Sequence, residues 1–364
     1  MTGASVRLEK SLSPSPFITV LVPVLSVFLA LAVGAFFLSL TGRDAWEVYA
    51  TMFSGAFGTA YGLTETIVKA IPLMLTGLGV VLAFRMQLWN IGGEGQLHMG
   101  AFAAAWVALS FPEQPAWVLL PAMVAAAMLA GGLWGLLPAL PRAYLGVNEI
   151  ITTLMLNYVA ILWVEYLVYG PWRDPHGYNF PLTAPFTQGA ILPALGGTRI
   201  HVGLIFGLLL ALALWVILCR TRWGFEIRVI GESPAAARYA GIDVARNILL
   251  VMLVSGAICG LAGMVEVAGL IHRLQPGFSP GYGYTAIIIA WLGKLHPGAV
   301  VLVAFLFGGL QVGGYMVQTS GIPAAMVAML QGSILFFVLG GEVLLRYRLR
   351  WRPQGRMGVE NDER

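Results

Sequence analysis

Ten long apolar stretches, parted by short polar or Pro- and Gly-rich breaks, occupy almost the whole chain and restrict the solvent it can fold in. They fall near 17–40, 64–86, 95–111, 116–139, 149–169, 201–219, 247–271, 283–293, 298–318 and 322–345. A helix needs about 20 apolar residues to cross the hydrocarbon core of a bilayer, and most of these stretches have that length. The eighth is too short and reads as half of a broken or re-entrant element, so eight to ten crossings are expected. The alternation of apolar and polar residues that marks a membrane barrel is missing, which leaves helices as the spanning elements. With 58% hydrophobic and 10% charged residues, the chain has too little polar surface for a soluble core, where about 25% charged is usual. The expected fold class is an all-α polytopic membrane protein: one transmembrane domain over 17–345, between tails 1–16 and 346–364.

Lys and Arg set the expected orientation, because cytoplasmic loops are enriched in them. If all ten stretches cross and the N-terminus is inside, sixteen of these residues lie on the cytoplasmic side and four (Arg43, Arg173, Arg199, Arg273) on the other, with Lys69 inside a stretch. Both tails and the loop 220–246 are then cytoplasmic, and the loop 170–200 is extracytoplasmic. The first stretch follows Arg7 and Lys10 in the manner of a signal peptide, yet its apolar run is too long and no small-residue cleavage site follows. An uncleaved helix is expected there. The net charge of +4 follows from this bias and calls for no nucleic-acid partner. Cys219 and Cys259 fall on different stretches at no metal-binding spacing and imply no disulfide framework.

The loop 220–246 is a polar island holding five arginines and three acids. Inside it a short helix has its ends written in: Ser233 suits the N-cap, Pro234 the first helical position and Gly241 the position beyond the C-cap, for a helix over 234–240. Two turns rich in alanine suggest a peg that another protein can approach closely. The loop 170–200, rich in Pro, Gly and aromatic residues, is either a lid or external docking surface, or a plain connector.

Two further stretches hold polar residues where lipid makes them costly. In Asn90-Ile-Gly-Gly-Glu-Gly-Gln-Leu-His98 the glycines argue for a break in helical geometry; Glu94 and His98, four apart, share a helix face, and Gln96 points elsewhere. In Asn148-Glu-Ile-Ile-Thr-Thr-Leu-Met-Leu-Asn157, Glu149, Thr153 and Asn157 form a stripe along one face. Asn90, Glu94, Gln96, His98, Asn148, Glu149, Thr153 and Asn157 either line a permeation path or bond neighbouring helices in a tightly packed junction. Glu65, Lys69, Glu165, Glu266 and Glu342 are expected at helix ends or in internal pairs. The chain has no phosphate-binding Gly-x-x-x-x-Gly-Lys-Ser/Thr loop, no nucleophile elbow and no His-Glu-x-x-His. An internal sequence repeat is not visible.

At Asn90-Ile-Gly-Gly-Glu-Gly-Gln96, Asn148 to Tyr158 and Gly231-Glu-Ser-Pro-Ala-Ala-Ala-Arg-Tyr-Ala-Gly-Ile242, the chain resembles permease subunits of bacterial ABC importers. The likeness is to the ribose and branched-chain amino acid permease superfamily, in its nucleoside branch, over residues 17–345. It implies the permease fold of the ribose and vitamin B12 importers. It also implies no catalysis in this chain: a separate ATPase subunit binds ATP and magnesium. A second permease subunit, identical or homologous, and an extracytoplasmic solute-binding protein or lipoprotein complete the machine in the cytoplasmic (inner) membrane. Carried onto this chain, Glu232, Ser233, Pro234, Ala235, Ala236, Ala237, Arg238, Tyr239 and Gly241 would form the ATPase contact. The segment at Asn90 differs from the Gly-Gly-Ile-Asp-Leu-Ser type of sugar permeases, so nucleosides are the expected cargo, with sugars or branched-chain amino acids as the alternative. An ion-coupled carrier using Glu94 and Glu149, or a sensory subunit that moves no solute, are the readings of other classes.

Overall fold

The computed structural model describes residues 4–10 and 16–353, with side chains for 21, 22 and 24–341. Among the described residues thirteen α-helices follow in order: α1 (Pro16–Leu40), α2 (Ala45–Phe57), α3 (Ala60–Arg85), α4 (Gly93–Ser110), α5 (Ala116–Leu145), α6 (Glu149–Tyr169), α7 (Gly203–Arg220), α8 (Arg222–Glu232), α9 (Pro234–Tyr239), α10 (Val244–Glu266), α11 (Tyr282–Leu292), α12 (Pro297–Thr319) and α13 (Ala325–Arg346). Six of them are long and apolar enough to cross a membrane: α3, α5, α6, α7, α12, and α10 with its π-helical extension to Ile271. Shorter apolar helices cover Val24–Leu40, Tyr282–Leu292 and Ala325–Gly341. The polytopic helical class is thus present, with six clear spans among the described residues rather than a demonstrated ten.

Two helices depart from the sequence expectation. α2 forms between the first and second apolar stretches, where no element is read from the sequence; it buries Val48, Met52 and Ala56 and leaves Trp46 and Phe53 exposed. α8 forms inside the polar island, capped by Thr221, whose hydroxyl accepts from Gly224 N, and it buries Gly224, Ile227 and Ile230. Both are short and amphipathic, so their apolar residues never make a continuous run.

The described residues pack as two units, one over 46–327 and one formed by those before 46 with those after 327. In the smaller unit Ser26 Oγ lies 2.9 Å from Phe337 O on α13, and Ala4–Lys10 pairs antiparallel with Tyr347–Pro353. In the larger unit α3 and α10 form the core: the apolar windows of these helices are 89% and 72% buried. Helices in lipid gain little from the hydrophobic effect and approach through small residues instead. Here Gly256, Gly260 and Gly263 of α10 lie against the backbones of α5 and α4, and a methyl on Gly131 of α5 would sit 2.7 Å from Gly260 Cα.

Two breaks in this bundle place the polar residues. α3 runs from the end bearing Arg199 to the end bearing Arg85, where Arg85 Nε donates to Leu295 O (3.0 Å). The chain then turns back inside the bundle, and at Asn90 it has risen to the level of Gly79. Asn90 Nδ2 donates to Ser255 Oγ (2.9 Å), which donates to Gly79 O (2.7 Å). α4 starts there and continues toward the Arg199 end. α10 runs antiparallel to α3, with Ser255 beside Gly79 and Glu266 beside Lys69, and passes into a π-turn, Val267–Ile271, at the Arg199 end. The chain dips back, and α11 starts inside the bundle and ends near Arg85. At 11 residues α11 is about 16 Å long, half a crossing. The short eighth stretch is therefore half of a broken element, and α3–α4 and α10–α11 repeat one pattern in opposite senses.

Candidate functional site

α4 and α11 meet N-terminus to N-terminus, and the residues around that junction are the ones the sequence singled out. Each helix start leaves backbone N–H groups without intrahelical partners and carries positive partial charge, so acceptors must be supplied. Glu94 supplies one: its Oε2 accepts from Gly283 N at 2.7 Å, and the residue is 2% exposed. Asn157 of α6 supplies another. Its Oδ1 accepts from Gly95 N (2.8 Å), while its Nδ2 donates to Ile91 O (2.9 Å) and to the Tyr284 hydroxyl (3.3 Å). One asparagine thus ties together α4, the coil before it and α11.

Asn90 and Gln96 form a reciprocal amide pair with two bonds of 3.1 Å, and Asn90 Oδ1 also accepts from Gly92 N (3.1 Å). Both side chains are buried and have their polar atoms engaged on protein. Removing one would strand the other: an unsatisfied buried polar group costs about 1–3 kcal/mol. Asn90→Ala is therefore expected to lower the thermal midpoint of the purified protein by several degrees. An unchanged melting curve would mean the pair does not hold the coil.

His98 lies on the face of Glu94, as the four-residue spacing predicts; its Nδ1 is 2.8 Å from Glu94 O, and the ring packs on Phe278 with centroids 4.6 Å apart. Thr153 is fully buried, bonds back to Glu149 O (2.6 Å) and lies under Gly92. Glu149 sits apart from the junction at the Arg85 end. Its carboxylate pairs with Arg142 Nε (3.1 Å) and accepts from Trp89 N (3.3 Å), beside Asn148, which caps α6 through Ile150 N (2.9 Å). The structure therefore brings Asn90, Glu94, Gln96, His98, Thr153 and Asn157 together and leaves Asn148 and Glu149 one layer away. Where the junction meets the surface of the unit stands Tyr284, half-exposed, with the more exposed Tyr158 on α6.

Sequence reasoning missed Ser255, Gly283 and Tyr284 as parts of this site. Gly281-Tyr-Gly-Tyr284, behind Pro276 and Pro280, repeats the glycine-rich break seen at 92–95 and could have signalled a second half-helix start.

The island also takes shape. Trp223 Nε1 donates to Asn247 Oδ1 (2.9 Å), and Asn247 Nδ2 donates to Glu226 Oε2 (3.1 Å), so these polar groups lock α8 to the start of α10. α9 ends at Tyr239 rather than Ala240, which is its C-cap; Gly241 follows at φ 77°. Ser233 Oγ accepts from Ala236 N (3.2 Å), and Pro234 opens the helix. Ala237 faces inward and is fully buried; Glu232, Pro234, Ala235, Ala236 and Arg238 are exposed, and Tyr239 is 97% exposed.

Helices broken inside an apolar bundle, with their N-termini facing one another and polar side chains gathered there, define a solute-transporting membrane protein. Residues 62–339 match the family described as branched-chain amino acid transport system, permease component, and the chain belongs to that family. Membership makes it a transport permease rather than an enzyme. It is 41% identical over 339 residues to the glucose ABC transporter permease protein TsgB13 of Haloferax volcanii, covering 90% of this chain and 89% of that one. It is 37% identical over 326 residues to the guanosine ABC transporter permease protein NupP of Bacillus subtilis (87% and 92%). A third relative, the nucleoside ABC transporter permease protein NupB of Lactococcus lactis, is 30% identical over 328 residues (88% and 90%).

Proposed function

We propose that this chain is the membrane-spanning permease of an ATP-binding cassette importer for nucleosides. The observation that carries this reading is the family membership together with relatives named for guanosine and for nucleosides over most of their length. A separate ATPase subunit, which binds ATP and magnesium, docks on α9; a second permease subunit faces the junction of α4 and α11. A solute-binding protein or lipoprotein delivers cargo to the loop 170–200. Both termini and α9 lie on the cytoplasmic side of the inner membrane, and the ten apolar stretches supply up to ten crossings. In this reading Tyr284 and Tyr158 meet the solute, and Asn157, buried behind them, holds with Asn90, Glu94, Gln96, His98 and Thr153 the half-helices that present them. Glu94 and Glu149, which an ion-coupled carrier would need free, are engaged by Gly283 N–H and by Arg142, and this favours the ATP-driven mechanism.

Glucose is the second reading, favoured by the name of the 41% identical relative. Uptake of labelled guanosine by cells making the whole complex decides between them. Unlabelled nucleosides are expected to suppress uptake and glucose to leave it unchanged; transport of glucose with no nucleoside competition would overturn the nucleoside assignment.

A further inference from the structure

Glu266, the last residue of α10, is 2% exposed in the core, and the junction described above does not use it. Its Oε1 lies 3.8 Å from Lys69 Nζ on α3 and accepts from the Tyr282 hydroxyl at 3.2 Å; Lys69 Nζ donates to the same hydroxyl at 3.3 Å. Three elements therefore meet at one charged triangle. A buried ion pair is a poor source of stability, since desolvation offsets most of the attraction. Such a triangle makes better sense as a device that fixes a geometry.

The geometry it fixes is the start of α11. Tyr282 is the first residue of that helix, and the next residue, Gly283, donates to Glu94. Glu266 in turn is followed at once by the π-turn Val267–Ile271, a rare conformation found often at functional sites. That turn and the strap after it are bonded to the external loop: Leu192 N donates to Ala268 O (3.0 Å), Phe186 N to His272 O (2.8 Å) and Thr183 N to Leu274 O (3.1 Å), and Leu274 N donates to Thr183 Oγ1 (3.0 Å). A continuous set of bonds thus runs from the loop 170–200 through the strap and the triangle to the helix junction.

We propose that Lys69, Tyr282 and Glu266 are positioning residues: a latch that holds the start of α11 against α4 and passes movements of the loop 170–200 to the solute site. The use of those movements in uptake rests on the importer reading above; the latch itself does not. Continuity of bonds is only a route, and coupling has to be measured. Tyr282→Phe keeps the ring and its volume while removing the shared hydroxyl. In the full complex in lipid nanodiscs, this variant is expected to exchange the amides of 279–292 with solvent faster than the unaltered chain. Its uptake turnover is expected to fall about tenfold with the half-saturating solute concentration unchanged. Lys69→Met alone strands Glu266 and is expected to lower the melting temperature. The charge-free pair Lys69→Met with Glu266→Gln is expected to melt near the unaltered protein and still transport as slowly as Tyr282→Phe. Unaltered amide exchange in Tyr282→Phe, or transport at the unaltered rate by either Tyr282→Phe or the charge-free pair, overturns the latch. Absence of uptake by the unaltered complex would count against the importer reading instead, and the amide exchange would still decide the latch.

Discussion

Ala236→Arg is expected to abolish ATP-dependent uptake and to leave the protein folded and inserted in the membrane, if α9 docks the ATPase as proposed. Ala236 lies on the exposed side of α9, beside Ala235 and the almost fully exposed Tyr239, while the opposite side of that helix buries Ala237. Arginine is nearly as good a helix former as alanine, and a surface change of this kind costs within about 0.5 kcal/mol. The fold therefore survives. A partner that receives this short helix in a groove, by contrast, meets a long charged side chain where a methyl had been. Changes at the centre of an interface cost about 2–4 kcal/mol, which is roughly 30- to 1,000-fold in affinity. Two measurements separate the effects: co-purification of the ATPase subunit, expected to be lost, and yield in the membrane fraction, expected to be unchanged. Uptake equal to that of the unaltered protein would remove α9 from the docking surface. Ala237→Arg is the contrasting case, since a charge forced into a fully buried site disturbs the packing under α9 before any partner arrives.

The parts of this fold legible in the sequence are those with a local cause. Long apolar runs foretell α1, α3 to α7, α10, α12 and α13, and six of these, α3, α5, α6, α7, α10 and α12, have the length and apolarity that a bilayer crossing demands. The ends of α9 are legible because Ser233, Pro234 and Gly241 each do a job set by backbone geometry, and the i, i+4 spacing places His98 on the face of Glu94. What stayed hidden depends on partners distant in the chain. Glu94 is paired with a backbone N–H of Gly283, which has no side chain to announce it. Glu266 and Lys69 are expected from sequence at helix ends or in internal pairs, but nothing local says that they pair with each other through Tyr282. The opposite senses of α3–α4 and α10–α11 leave no sequence repeat, because small residues recur where backbones approach and the other positions differ. The contribution of Asn157 was visible as a costly polar residue; its position between two helix starts was not.

Gly283→Ala is the second large effect, and here two principles predict opposite signs. Alanine is the better helix former by about 1 kcal/mol, so propensity alone predicts that α11 gains stability. Packing predicts the reverse. A Cβ on Gly283 would lie 2.6 Å from Glu94 Cα and 2.6 Å from Gly93 C, both backbone atoms that cannot rotate aside. Relief requires α11 and α4 to separate, which costs about 1–3 kcal/mol as overpacking. The separation also stretches the Gly283 N–H bond to a buried carboxylate, worth about 1.5–3 kcal/mol. The clash outweighs the propensity gain, and a net loss of about 2–5 kcal/mol corresponds to a fall in melting temperature on the order of 10 °C. Gly332→Ala is the internal control, because a methyl there meets nothing within 4 Å and only the propensity gain remains. Thermal unfolding of the two variants in detergent reads the difference directly. A Gly283→Ala protein as stable as Gly332→Ala would mean that the two helix starts do not abut, and the junction built on Glu94 would fall with that result.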